Sequence, residues 1–97
     1  MVVESELGDE TEICRDLLKL LDARAAVRLL VYRQPRDARC RDRLHGRMLH
    51  VLHNHAHFDP TTDRCLFVGL TWRPGNIETA VRTVTADGAA LRTVDVR

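Results

Sequence analysis

The sequence predicts a small domain that is mainly β: a strongly bent antiparallel sheet, closed into a small barrel and preceded by an N-terminal α-helix. One segment near the start has apolar residues at helical spacing. The rest of the chain consists mostly of short apolar runs separated by turn-forming residues. A chain of only 97 residues hides both faces of such a sheet most readily by bending it into a barrel.

The N-terminal segment is expected to contain a tail and then the helix. Residues 1–8 are polar and acidic, so we expect a flexible leader there and a single domain over 9–97. Asp9 with Glu12 three residues later is typical of a helix start and predicts a helix over 9–22. Four apolar residues recur along it at helical spacing: Ile13, Leu17, Leu20 and Leu21.

A first strand is predicted immediately after the helix. Residues 26–33 are rich in β-branched and apolar side chains, and Pro35 ends the run. Residues 34–43 are charged and lack alternating apolar positions, which predicts a long connection or a distorted hairpin end.

Residues 44–58 fit two patterns. Their apolar residues satisfy a helical spacing, but Gly46 would weaken a helix interior by roughly 1 kcal/mol relative to Ala, and alternating residues run through the whole segment. We expect a strand over 44–58, with a helix over 38–52 as the alternative.

Three further strands are predicted over 65–72, 77–86 and 89–96. Pro74-Gly75 separates the first two. Asp87-Gly88 separates the last two, and this dipeptide favours a two-residue type I′ hairpin, which needs positive φ at both central positions. The predicted order is therefore one helix followed by five or six antiparallel strands.

Composition indicates an intracellular protein, cytoplasmic or nuclear. The three cysteines are an odd number without close spacing, and the N-terminus does not resemble a signal peptide, so reduced thiols are expected. No apolar run approaches the ~20 residues needed to cross a bilayer, so no membrane partner is expected.

The sequence predicts no enzyme and no cofactor. Its glycines are scattered singly, which does not fit a phosphate-binding loop. Its cysteines lie in apolar patterns, where an inert buried thiol is the ordinary outcome.

Histidines provide the alternative function, a small metal-binding module. On a strand, His53, His55 and His57 would project from one face and could together bind Zn²⁺. No cysteine or carboxylate of the same strand face completes the ligand set. The ordinary explanation is a polar strand face or an interface.

A short C-terminal motif resembles the Sm-like family. Trp72-Arg73-Pro74-Gly75-Asn76-Ile77 is similar to the second motif of that family, an apolar residue followed by Arg-Gly-Asn and a spaced Ile. A helix leading into about five bent strands is also the family's layout. The first motif has an aspartate and an asparagine at fixed distances from a glycine; counted from Gly46, these positions are Leu52 and Ala56.

The resemblance implies a non-catalytic subunit of a protein or ribonucleoprotein complex that pairs its strand edges with other subunits. The missing polar pair favours the divergent, protein-scaffold branch, such as the auxiliary subunit of the N-terminal acetyltransferase C complex or a subunit that assembles spliceosomal particles. A charged insertion between strands would crowd a symmetric ring, so we expect a hetero-oligomer. RNA contact is expected to be weak and non-specific, through these residues: Asn54, Arg73, Gly75, Asn76, Arg36, Arg39, Arg41 and Arg43.

Overall fold

The structure is a computed structural model that describes residues 1–23, 25, 27–55 and 58–95. Within these residues the strands form one sheet, in the order β1-β2-β3-β4-β5. The elements along the chain are β1 (Val2–Glu6), α1 (Glu10–Asp22), β2 (Val27–Arg33), α2 (Ala38–His53), β3 (Arg64–Arg73), β4 (Asn76–Val84) and β5 (Leu91–Thr93).

The sheet is mixed rather than antiparallel throughout. β1, β2 and β3 are parallel neighbours, whereas β3, β4 and β5 pair antiparallel. Each parallel pair is joined by a helix, and such crossovers are right-handed in nearly all proteins. Because the three strands lie in chain order, α1 and α2 cover the same face of the sheet.

The predicted first helix is confirmed, and both of its ends have identifiable caps. The Glu12 amide donates to Asp9 Oδ1 at 2.9 Å, which caps the first turn. At the other end the buried Arg28 of β2 donates to the Leu20 carbonyl at 3.1 Å and to the Ala23 carbonyl at 3.0 Å. Arg28 thereby joins β2 to the last turn of α1, where the Leu20 carbonyl also accepts from the Ala23 amide at 3.3 Å.

The predicted strand over 44–58 is wrong, because Ala38–His53 forms α2. The helical spacing was the correct signal: Leu44, Met48 and Leu52 are each no more than 1% exposed. Burying three such side chains contributes roughly 1.5–3 kcal/mol each, which outweighs a glycine in the helix. Helix formation also shortens the connection expected over 34–43. Residues 56 and 57 of the predicted strand lie outside the described residues.

Residues 1–8, expected as a flexible leader, contain β1. It pairs with β2 from Val2 opposite Arg28 to Glu6 opposite Tyr32. Val2 packs against the core, so this short acidic segment is ordered by its neighbour rather than by its own composition.

The strands predicted in the middle and the C-terminal part of the chain are present as β2, β3, β4 and a shorter β5. Gly75 has φ of 84°, which fits Pro74-Gly75 at the centre of a tight turn. Gly88 has φ of 75° but Asp87 does not have positive φ, so the second hairpin lacks the type I′ turn. The Thr85 amide instead donates to the Ala90 carbonyl at 2.9 Å and closes a longer loop.

A β-rich domain with an N-terminal helix is therefore confirmed, but the sheet is not closed into a barrel. Its edges are β1 and β5, which do not pair with each other in the described residues. The helices provide the cover that barrel closure would have provided. The core lies between them and one face of the sheet, and consists of Ile13, Cys14, Leu17, Leu20, Leu21, Leu30, Tyr32, Leu44, Met48, Leu52, Cys65 and Phe67.

Candidate protein-interaction surface

The two faces of the sheet are both apolar but differ in burial. In β2 and β3, Leu30 and Phe67 face the helices and are 0% exposed. Their neighbours Val31 and Val68 face the other way and are only partly buried. Among the described residues, no helix or strand lies over this second face, which we call the open face.

Strand register defines the members of the open face. Val68 lies opposite both Val31 and Val81, and Leu66 lies opposite Leu29. The same alternation continues to both ends of the sheet. The apolar members are Val3, Val27, Leu29, Val31, Leu66, Val68, Leu70, Trp72, Ile77 and Val81.

Several of these side chains are strongly exposed. Val3 is 50%, Trp72 37% and Ile77 51% exposed, and Leu7, at 51%, lines a cleft with Trp72. Parallel strands are nearly always covered on both faces, and large exposed apolar patches mark interaction sites. The open face therefore has the character of a surface that a partner covers.

The open face is large enough for a small protein interface. With ~3.3 Å per residue and ~4.8 Å between strands, it extends ~26 Å along β3 from Arg64 to Trp72 and ~20 Å across the sheet. That gives ~500 Å² of flat area, and the protruding side chains add to it. A standard interface buries about 800 Å² per partner.

Charged residues on the open face are all arginines. Arg64 and Arg92 lie at the end where β3 begins, and both line one cleft with Leu66. Arg33 lies at the end where β2 finishes. Alternation places the strand carboxylates Glu4, Glu6 and Glu78 on the helix side. No aspartate or glutamate of the five strands falls on the open face.

An aromatic and cationic pair marks the carboxyl end of the open face. The Arg33 guanidinium lies 5.7 Å from the centre of the Trp72 ring, within cation–π range. Pro35 and Arg36 line the adjoining cleft together with this pair. An aromatic ring and two guanidinium groups are thus accessible at the carboxyl ends of β2 and β3, which we call the carboxyl edge.

Hydrogen bonds hold this edge in place from the helix side. The backbone amide of Gln34 donates to the Leu70 carbonyl at 2.8 Å, and the side-chain Nε2 of Gln34 donates to Thr71 Oγ1 at 3.0 Å. Arg82 donates to Gln34 Oε1. Gly69 makes this arrangement possible, because a Cβ there would lie 2.6 Å from Gln34 Oε1. Gln34 is thereby fixed beside Arg33.

Next to this network, Tyr32 of β2 is tied to His45 of α2. The hydrogen bond between Tyr32 Oη and His45 Nε2 is 2.7 Å long. Burial, together with the nearby Arg82 and Arg41, lowers the pKa of His45 to about 4. Burial also raises the pKa of Tyr32. Both groups are therefore uncharged at neutral pH and join helix to sheet.

The histidines are not arranged as the metal interpretation expected. His53 lies in α2 and hydrogen-bonds the Gly88 carbonyl, whereas His55 Nε2 lies 3.0 Å from Asp22 Oδ1. They thus contact different parts of the chain instead of sharing a strand face, and His57 lies outside the described residues. The part of the chain that the structure describes contains no group of three His, Cys, Asp or Glu residues placed to hold a metal ion.

The residues expected to contact RNA separate into two regions. Asn54 ends α2, which runs back from the carboxyl end of β2 to the start of β3, so it lies at the opposite end of the sheet from the β3–β4 turn. Arg43 is paired with Glu10 of α1 at 3.1 Å. The others lie in the β2–α2 connection, the start of α2 and the β3–β4 turn, near the carboxyl ends of β2 and β3: Arg36, Arg39, Arg41, Arg73, Gly75 and Asn76.

The apolar patterns predict buried thiols, and this is correct for two of the three cysteines. Cys14 and Cys65 are buried, and burial raises the pKa of Cys65 to about 11. A hydrogen bond with Asp37 raises the pKa of Cys40. Thiols held in the protonated form are poor nucleophiles.

The open face was missed because a near-continuous apolar run was interpreted as antiparallel. Apart from Arg28 and Thr71, residues 27–32 and 65–72 are apolar on both faces, which is typical of parallel strands covered on both sides. This pattern is the sequence signal from which parallel strands and a second apolar face could have been predicted.

No protein-family model, curated protein or solved structure matches the chain. Within the described residues, neither helix is long and apolar enough to span a membrane.

Proposed function

We propose that the chain is a non-catalytic subunit of a protein complex and that it binds another protein through the open face. One observation carries this proposal: parallel strands present an apolar face that no described element covers. Fully burying a valine or leucine side chain contributes roughly 1.5–3 kcal/mol, and these side chains are only partly buried in the isolated domain. A partner that covers the open face would add the free energy of burying the apolar surface that is still exposed.

Strand edges offer a second mode of contact with the same partner. β1 and β5 are the edges of the sheet, and an unpaired edge can accept a further strand by main-chain hydrogen bonds. The Sm-like relationship remains a hypothesis supported by residues 72–77 alone, since the parallel pairing of β1, β2 and β3 differs from consecutive antiparallel strands.

Light scattering with two matched lysine substitutions tests the proposal. Val68→Lys places a charge at the centre of the open face, whereas Leu18→Lys changes an exposed leucine, 46% accessible, on α1. We expect the wild-type chain and Leu18→Lys, purified gently from their source cell, to be in a complex heavier than the chain itself, and Val68→Lys to be a monomer that has lost the other protein.

Photo-crosslinking locates the contact in the cell. A photo-reactive amino acid at Val81 should give a discrete crosslinked species, and the same group at Leu18 should not. A monomeric wild-type chain whose crosslinks are the same at both positions would contradict the proposal.

Weak RNA contact at the carboxyl end is a second candidate. The observation that favours it is the Arg33 guanidinium over the accessible Trp72 ring, with Arg36 in the same cleft. Base stacking and phosphate contacts use these groups. We expect low affinity that falls steeply with salt and is equal for oligo-uridine and a mixed sequence. Uridine-selective binding that survives ~200 mM salt would contradict a non-specific site.

A further inference from the structure

From the charge pattern of the open face we propose the chemistry of its partner: an amphipathic helix whose apolar stripe is bordered by carboxylates. This inference rests on the proposed function, because it assumes that the open face is the binding surface. It concerns only what covers that face.

Within the part of the chain that the structure describes, the arginines of the open face lack a counter-charge. Among the described residues, no carboxylate lies within 4.0 Å of the guanidinium of Arg33, Arg64 or Arg92. In contrast, Arg73 is paired with Glu78 at 2.9 Å on the helix side. The open face therefore has an apolar centre and unpaired cations at its ends. A complementary partner carries apolar side chains in its middle and carboxylates towards its ends.

The same pattern argues against a second copy of this chain. A two-fold contact would place the open face against itself, and every charged residue of the face is an arginine. No carboxylate of the face could then pair with a guanidinium of the other copy. Cations without counter-charges would be desolvated, which strongly opposes association.

A helix fits the shape and strand direction of the face. The uncovered face of parallel strands is normally occupied by helices. A helix is about 10 Å wide. One helix lying along β3 would therefore cover the width of the row that Val31, Val68 and Val81 form across β2, β3 and β4. With ~1.5 Å per residue, about 17 residues span the ~26 Å from Arg64 to Trp72. Carboxylates near both ends of such a helix would meet the arginines.

Phosphate-rich partners fit less well. A nucleic acid crossing the face would have to pass over valine and leucine side chains between the terminal arginines. An anionic membrane is usually entered by strongly exposed apolar side chains, whereas the central valines and leucines of the open face are already partly buried. Both become outcomes of the test.

Peptide binding, followed by the fluorescence of Trp72, is the experiment. Trp72 is the only tryptophan of the chain and lies on the open face, 37% exposed. The probes are two tryptophan-free peptides of about 18 residues with the same leucine stripe, bordered by glutamate in one and by lysine in the other. We expect the glutamate peptide to bind at least ~tenfold more tightly at ~150 mM salt.

Charge reversal provides the matched control. Arg64→Glu with Arg92→Glu should abolish the preference for the glutamate peptide. Arg15→Glu with Lys19→Glu changes the net charge equally but lies on α1, and it should retain the preference. Circular dichroism checks that both variants are folded. Equal loss in both pairs would show a long-range charge effect and overturn the inference.

The remaining outcomes separate this inference from the proposed function. If both peptides bind equally, and Val68→Lys weakens both, the carboxylate inference is wrong while the open face remains the binding surface. If Val68→Lys weakens neither peptide, the open face is not the site and both proposals fail. The inference is also overturned if vesicles containing phosphatidylserine, or a mixed-sequence oligonucleotide, bind through Arg64 and Arg92 while the glutamate peptide does not.

Discussion

The helix-covered face and the open face of the sheet are built from the same strands but differ in burial and in the pairing of their charges. Adjacent residues of β3 illustrate this: Phe67 is fully buried under the helices, whereas Val68 remains partly exposed. On the covered face Gln34 hydrogen-bonds both Thr71 and Arg82. The open face has unpaired cations. The covered face therefore stabilises the domain, and the open face is available for binding.

The largest expected effect separates these two roles at neighbouring positions. Phe67→Ala leaves a large cavity under the helices and should lower the free energy of unfolding by about 3–5 kcal/mol. Val68→Ala removes only partly buried atoms and should cost less than about 1 kcal/mol. Urea unfolding measures both. Similar losses at the two positions would show that the open face is already covered within the domain.

A second prediction concerns the space that Gly69 leaves on the covered face. In Gly69→Ala the new Cβ would lie 2.6 Å from Gln34 Oε1 and 3.0 Å from Tyr32 Oη. Overpacking and a broken polar network should lower the free energy of unfolding by about 1–3 kcal/mol. Urea unfolding measures the loss. A neutral effect would mean that Gln34 moves freely and does not hold the carboxyl edge.

The third prediction is a pH dependence of the covered face. Because the pKa of His45 is lowered from 6.5 to about 4, the unfolded chain binds a proton that the folded chain excludes. The contribution of neutral His45 to the free energy of unfolding is fully present above pH 6.5 and is lost as the pH falls towards 4. The urea midpoint of the wild type should therefore decrease from pH 7 to pH 5, more than in His45→Gln.

The variant His45→Gln serves as the control, because it retains the other titrating groups of the wild type. The interactions of Glu10, whose pKa is lowered by Arg47 and Arg43, are lost only at lower pH. Equal slopes in the wild type and the variant would exclude His45 as the cause.

The smallest expected effect is a gain on the outer surface of α2. Gly46 lies within this helix, and a Cβ there would meet no atom within 4 Å. Gly46→Ala should raise the free energy of unfolding by about 0.5–1 kcal/mol by restricting the unfolded chain. Thermal unfolding by circular dichroism measures the gain. A loss would show that Gly46 has an unrecognised contact.

Local signals in the sequence were sufficient for α1, β2, β3 and β4. Asp9 and Glu12 define a helix start, and Pro74-Gly75 defines a turn, within a few residues of chain. β1 could not be predicted because its partner β2 lies beyond an intervening helix. In α2, the alternation of histidines imitated a strand, while Leu44, Met48 and Leu52 determined the fold through tertiary burial.

The candidate site was predicted only in part. Arg36 and Arg73 do lie at one edge of the sheet, but Trp72 beside Arg33 depends on the parallel register of β2 and β3. Register between distant segments is set by tertiary pairing, which composition and spacing do not specify.

The position of β3 at the boundary between parallel and antiparallel pairing also constrains the order of folding. The β3–β4 hairpin closes a two-residue turn, whereas β1 and β2 join the sheet only after whole helices have bridged them. Local contacts require less loop-closure entropy and tend to form early. We therefore expect the hairpin to act as the template on which β2 and finally β1 are added. In native-state hydrogen exchange, β1 amides should open at the lowest free energy, so the acidic edge of the sheet would be the first part of the domain to separate reversibly from the rest.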